Sequence, residues 1–377
     1  MNKVIFLTTI IATTVIGGFL YWQTMEGSSS DLPKPQTPIP PYDYVVEDFE
    51  VTSKDQATIL SGTLTVPNGE GPFPAAILLS VAGPNDRDQS FADHKGFHVL
   101  ADYLTRNGVA VARFDDRNVG GSSGDYFDSS WGDFTNDALA IFTWLESDAR
   151  IDSDRIGVIG MSQGAAIGAL AVSANESIAY AVLLSAPGLP GEEALALQLE
   201  KLLEISRVSG DRADRYRNLF REFMDIVKSD PADPTRVERM NEFLHGPGRA
   251  LIPPYQFMPS DTDGLIKVLL GPWYHSNVNF DPLTAYGSLA VPILAVAGEK
   301  DFVAPPNRHL ENIGIILASA PTRDVTVQEL PGLNHLLQEA ETGLPTEYAT
   351  LENSFSPAAL EIIANWISNR PKERLEP

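Results

Sequence analysis

The 377-residue chain is 43% hydrophobic, enough for one sizeable core plus an insertion, and its 50 acidic and 27 basic side chains give a formal net charge of −23. That excess opposes binding to nucleic acid or to anionic lipid, whose phosphates demand the opposite sign. The absence of cysteine excludes disulfides, thiol catalysis and a lipid-modified cysteine.

At the N-terminus, Asn2 and Lys3 precede the uncharged run Val4–Trp22, and Glu26 and Asp31 follow it. Lysine before and acids after predict an inside N-terminus and an exported body, facing the periplasm or the exterior. The run is long enough to span a bilayer and lacks a clear small-residue cleavage site, so it reads as an uncleaved anchor, with a cleaved signal peptide as the alternative. The expected organisation is 1–25 as anchor or signal peptide and 26–41 as a Ser/Pro-rich linker. Then come 42–187 as the first part of an α/β core, 188–287 as a helical insertion and 288–377 as the second part.

Further along, an edge hairpin is expected at 45–51 and 58–66, then an apolar strand at 74–80, a helix at 95–107 and a buried strand at 109–114. A helix at 131–147, a strand at 156–160, a helix at 164–173 and a strand at 178–184 follow. Alternation of helices with continuously apolar strands predicts a mostly parallel, doubly wound sheet covered on both faces. From 188 to 286 the pattern turns helical and charge-rich, with apolar residues at helical spacing in 195–208 and 213–227. The sheet pattern resumes at Val291, so this stretch is expected to be a cap inserted after the sixth strand. Tyr255, Phe257, Met258, Trp273 and Tyr274 are candidates to line a substrate site beneath it, with plain core packing as the alternative for each. A last amphipathic helix is expected at 357–369, with Ile362, Ile363, Trp366 and Ile367 on one side.

The chemistry concentrates at Gly160-Met161-Ser162-Gln163-Gly164, where an apolar strand breaks into a small-residue helix start. A turn this tight holds its central residue at strained backbone angles, and glycine two positions away on either side leaves room for it. Ser162 would then stand above the sheet edge, with a helix N-terminus aimed at developing negative charge. Two later residues fit acyl transfer. Asp301 follows the apolar strand 291–298, at the carboxyl end where α/β sheets build their sites, and Glu299 competes with it. His335 closes the strand-like run 324–330. Of the competing histidines, His94 and His98 precede the serine, His245 and His275 lie in the insertion, and His309 falls in a helix. No metal-ligand spacing emerges, because Asp86, Asp88, Asp115 and Asp116 lie on turns without histidine pairs.

Residues 80–88, Ser-Val-Ala-Gly-Pro-Asn-Asp-Arg-Asp, and 113–124, Arg-Phe-Asp-Asp-Arg-Asn-Val-Gly-Gly-Ser-Ser-Gly, add two further motifs, joined by 271–274 and 298–306. Together with the order Ser162, Asp301, His335, they make the chain from about Tyr44 to Arg370 resemble the α/β-hydrolase superfamily. The resemblance is to bacterial exported esterases related to the serine aminopeptidase and acylglycerol lipase branch. It implies the α/β-hydrolase fold, a Ser162–His335–Asp301 triad acting through an acyl-enzyme, a small-molecule ester substrate of short to medium acyl length, and no cofactor or metal. It also implies one oxyanion N–H from Gln163 and a second from Ala82, with Gly83 as the alternative; Pro84 has no N–H to give. Val81-Ala82 stand where many relatives carry glycine, and so does Asn118. Asp86, Arg87 and Arg117 are expected to form structural ion pairs or, in part, to contact a substrate carboxylate. The alternatives in function are a peptidase or amidase with the same triad and a non-catalytic envelope binding protein.

Overall fold

The computed structural model describes residues 34–252 and 258–370; the run Val4–Trp22, Tyr255 and Phe257 lie outside the described residues. Among the described residues no helix is long and apolar enough to cross a membrane. The chain divides into a sheet unit, residues 34–126, Trp131–Gly188 and 282–370, and a helical unit, Phe127–Ser130 and Leu189–Asp281. The helical unit ends short of 287 because Pro282–Tyr286 forms a short helix that packs within the sheet unit.

Eight strands form the sheet: β1 (Tyr44–Thr52), β2 (Ile59–Pro67), β3 (Phe73–Leu79), β4 (Ala110–Phe114), β5 (Ile151–Met161), β6 (Ala181–Leu184), β7 (Ile293–Gly298) and β8 (Val325–Leu330). Their spatial order is β1-β2-β4-β3-β5-β6-β7-β8. Only the pairings of β2, with β1 and with β4, are antiparallel; the pairings from β4 through β8 are parallel. The inner strands β3, β6 and β7 bury almost every residue, as strands covered on both faces must. The edge strands β1 and β8 leave most residues exposed or half-exposed.

The helices are, in chain order, α1 (Gly96–Arg106), α2 (Trp131–Glu146), α3 (Gln163–Ala174), α4 (Gly191–Ile205), α5 (Asp211–Val227), α6 (Arg236–His245), α7 (Thr262–Leu269), α8 (Pro272–Val278), α9 (Pro282–Tyr286), α10 (His309–Ser319) and α11 (Pro357–Ser368). In the sheet unit, α3 is built almost wholly from small residues and lies close against the strands; a Cβ at Gly168 would sit 3.3 Å from Leu79 and Val158. α11 buries Leu360, Ile363, Trp366 and Ile367, each such side chain contributing about 1.5–3 kcal/mol by leaving water.

Ion pairs fix the turns above the sheet. Arg87 makes a fork-shaped contact with Asp115, Nε to Oδ1 at 3.1 Å and Nη2 to Oδ2 at 2.7 Å, and Asp115 also accepts from Gly121 N at 3.0 Å. Asp86 caps its own turn, accepting from Asp88 N and Ser90 N. Asn118 sits at a φ of 62°, the left-handed region that asparagine tolerates better than most residues. Arg117 is buried and donates from Nε and Nη2 to Asp137 at 2.7 and 2.8 Å, while Ser53 Oγ also donates to Asp137. Asp137→Ala removes the forked carboxylate partner of a buried guanidinium, whose Nη2 keeps Asp55 at 3.0 Å. It is expected to lower unfolding stability by about 3 kcal/mol in urea titrations; a loss below about 1 kcal/mol would show the pair to be dispensable.

Residues 34–41 are not a free spacer. Lys34 Nζ donates to Ala349 O and Leu351 O at 2.7 and 2.8 Å. Gln36 Nε2 donates to Phe355 O at 2.8 Å, and Gln36 Oε1 accepts from Ser354 N and Phe355 N. A proline-rich composition reads as a spacer, but here its polar side chains satisfy the backbone of a loop that is remote in sequence.

The helical unit has its own core. Phe223 stacks on Phe243 at 5.6 Å and packs against Tyr274 at 5.7 Å; Trp273 meets Phe127 edge to face at 5.4 Å. Buried Arg236 donates to Ile226 O and Val227 O, a cation placed on the carbonyl end of α5.

Candidate active site

Ser162 stands between β5 and α3 at φ 54° and ψ −119°, a conformation costly for a residue with a Cβ. The surroundings over-determine it. A Cβ at Gly160 would lie 2.1 Å from Gly164 O, and one at Gly164 would lie 2.1 Å from Leu79 O, so neither position accepts a side chain. Ser162 N donates to Leu184 O at 2.8 Å, which anchors the turn to the end of β6. Gln163 opens α3, where backbone N–H groups point out of the helix and its positive end favours anions.

Asp301 and His335 come from the carboxyl ends of β7 and β8. Gly298 lets the two loops meet, since a Cβ there would lie 2.2 Å from Leu333 O, and Lys300 N donates to Leu333 O at 2.8 Å. Asp301 Oδ1 accepts from Val303 N and Ala304 N at 2.9 and 2.8 Å, and His335 Nδ1 lies 2.9 and 2.8 Å from the two carboxylate oxygens. Both side chains are buried. A carboxylate against Nδ1 places the ring proton there and leaves Nε2 as the acceptor. The structure thus joins His335 to Asp301, while no hydrogen bond joins Ser162 to His335 among the described residues. Such contacts commonly tighten only once substrate is bound.

The other histidines are differently engaged. His94 donates from Nε2 to Tyr348 O and accepts from Ser354 Oγ at Nδ1, both at 2.9 Å, and burial pushes its pKa down to about 4. His309 is buried too, accepting from Gly188 N at Nδ1, and desolvation again brings it down to about 4. Glu299 is turned away, accepting from Gly332 N. Among the described residues no group of three or more His, Cys, Asp or Glu side chains comes together as a metal site.

The loop after β3 is held from every side. Ser80 Oγ donates to Asp116 at 2.8 and 3.0 Å, and Asn85 N donates to Asp116 Oδ2 at 2.8 Å. Asn85 Nδ2 donates to Val81 O at 3.0 Å and to Gly83 O. Gly83 N donates to the Tyr126 hydroxyl at 2.8 Å, so the N–H expected as the alternative oxyanion donor is already committed. Among the described residues the Ala82 N–H has no acceptor. Asp116 and Tyr126 carried no signal in the sequence that marked them for this site.

Asp116 is half-buried as a residue, but its carboxyl is enclosed, and desolvation pushes it up to about 7 against the opposing hydrogen bonds from Asn85 and Ser80. The sign follows from the ordinary value of 3.8. Between there and about 7 the folded chain binds the extra proton, so this group's contribution to stability is full below 3.8 and lost as pH rises to 7, at up to about 1.4 kcal/mol per unit. Asp116→Asn keeps an acceptor for Asn85 and a donor for Ser80. Its stability relative to wild type, measured in urea at pH 5 and at pH 8, is expected to improve by on the order of 2 kcal/mol at the higher pH. Parallel curves would mean that the carboxyl is already ionised at pH 5.

Trp273 and Tyr274 are each 1% exposed and belong to the aromatic core of the helical unit, and Met258 is buried as well. Their placement gives them a packing role there.

The family description "Serine aminopeptidase, S33" matches residues 91–242, a stretch that includes Tyr126 and Ser162 but not Ala82, Asp301 or His335. A relative from Thermotoga maritima, esterase EstD, is 25% identical over 331 residues, covering 86% of this chain and 69% of its own. The solved Pyrococcus furiosus esterase Pf2001 superposes with a TM-score of 0.51 at 16% identity, covering 90% of this chain and 97% of that one. The α/β-hydrolase GrgF of a Penicillium species superposes with a TM-score of 0.50 at 18% identity, covering 78% and 91%. The chain has the α/β-hydrolase fold. In this fold the mostly parallel sheet expected from the apolar runs is present, and in chain order the helical unit follows β6, the sixth strand.

Proposed function

We propose that the protein is a carboxylic ester hydrolase acting through Ser162, His335 and Asp301. The observation that carries the proposal is the buried His335–Asp301 pair at the carboxyl end of the same sheet on which Ser162 is held at a strained φ. The relationship to esterase EstD supports an ester as substrate.

In the first step Ser162 Oγ attacks the ester carbonyl while His335 Nε2 takes its proton, and Asp301 stabilises the resulting imidazolium through Nδ1–H. The oxyanion is met by the N–H groups of Gln163 and Ala82, an effect worth about 3–4 kcal/mol per donor. Collapse returns the proton to the departing alcohol and leaves an acyl-serine. Water, deprotonated by the same imidazole, then releases the acid and restores the serine. The uncharged run Val4–Trp22 supports an exported enzyme, anchored or released.

The test is turnover of p-nitrophenyl esters of increasing chain length beside aminoacyl p-nitroanilides, with fluorophosphonate labelling of Ser162. Ester turnover with labelling is expected, and the chain-length optimum sizes the acyl site. Cleavage of the anilides alone moves the assignment to a peptidase, and neither turnover nor labelling leaves a binding protein on a hydrolase scaffold.

A further inference from the structure

We infer that Tyr126 is a positioning residue whose hydroxyl couples the two halves of the oxyanion hole. The inference rests on the serine-hydrolase function proposed above. The Tyr126 hydroxyl accepts from Gly83 N at 2.8 Å and from Gln163 Nε2 at 3.0 Å. Those two donors occupy both lone pairs of the phenolic oxygen. One belongs to the loop that carries Ala82 and the other to the residue after the nucleophile, and these are the two residues whose backbone N–H groups are to meet the oxyanion.

The peptide planes explain why this matters for Ala82. Its N–H lies in the plane shared with Val81, whose carbonyl accepts from Asn85 Nδ2 on the opposite side. The next plane is fixed by Gly83 N–H on Tyr126, and Gly83 itself sits at a φ of 100°, which a residue with a Cβ rarely adopts. Both planes flanking the Ala82 α-carbon are therefore tied down, leaving its N–H a set direction. Gly83, Tyr126 and Gln163 are all buried, so no bulk water replaces the hydroxyl if it is removed. Tyr126, Gln163, Ser80 and Asp116 line one small cavity of about 20 Å³, which places the tie at Tyr126 beside the anchor at Asp116.

Tyr126→Phe removes the oxygen and keeps the ring against Phe134, its neighbour at 4.8 Å. With p-nitrophenyl butyrate, kcat is expected to fall about 10- to 100-fold while KM moves less than about 3-fold. Inhibition by phenylboronic acid, whose serine adduct places an oxygen in the hole, is expected to weaken by the same factor as kcat. Gln163→Ala keeps the backbone N–H, cuts the other end of the tie and is expected to lower kcat in the same sense, with a double variant no worse than the weaker single. A kcat within about 2-fold of wild type, unchanged boronate affinity, or strictly multiplicative losses in the double variant overturns the inference. If Tyr126→Phe does not fold, Gln163→Ala with the boronate measurement decides the matter alone. A wild type inactive on esters and unlabelled by fluorophosphonate overturns the proposed function and this inference with it; an active wild type with an unaffected Tyr126→Phe overturns the tie alone.

Discussion

Ser162→Ala is expected to lower kcat on p-nitrophenyl esters by about 10⁴- to 10⁶-fold, down to the rate that binding and oxyanion stabilisation sustain without a nucleophile. Its effect on stability should be small, within about 0.5 kcal/mol, because the hydroxyl makes no hydrogen bond among the described residues that the methyl group would forfeit. Ser162→Gly adds a sharper control. It deletes the Cβ that makes a φ of 54° costly and should stabilise the fold by about 1 kcal/mol while being equally inactive. Activity and strain would then separate at one residue. Retention of more than about 1% of wild-type turnover by Ser162→Ala would show that the acyl group is carried elsewhere.

Asp301→Asn is expected to cost about 10⁴-fold in kcat near neutral pH with little change in KM. The reason is local. Oδ1 already accepts from the amides of Val303 and Ala304, so an asparagine keeps its oxygen there and turns its NH₂ toward His335 Nδ1. Nδ1 must then accept, the ring proton moves to Nε2, and the atom that should receive the serine proton is blocked. Steady-state kinetics with folding checked by thermal melting tests this; an Asn variant within about 10-fold of wild type would mean that the carboxylate does not set the tautomer.

Much of the fold could be read before any coordinates because its signals are local. The all-apolar runs that became β3, β6 and β7 have no stable place except the interior of a parallel sheet. The two glycines flanking Ser162 at two-residue distance specify a tight turn whatever the rest of the chain does. What stayed hidden depends on pairing across distance. Tyr126 is one more aromatic residue after a glycine-rich turn until its hydroxyl is seen on Gly83, 43 positions earlier. Asp115 and Asp116 are adjacent and chemically equal, yet one holds Arg87 and the other holds the loop of Ala82, a division fixed only by where their side chains point at the end of β4. For Trp273 and Tyr274, helical spacing in an apolar stretch serves a packed core as well as a ligand pocket, and composition does not separate the two.

The bonds from Lys34 and Gln36 span 315 to 319 positions of sequence. The loop they grip is in turn stitched to the segment after His335, through Ser356 N to Leu337 O and Gln338 Nε2 to Asn353 O. Translation is vectorial, so Lys34 is made 315 residues before Ala349, the first of its partners. Closing so long a separation is entropically late in folding as well. The surroundings of His335 are therefore completed well after Ser162 has been made, and a nascent chain that has not reached residue 349 carries the Ser162 turn without the loop that packs behind His335.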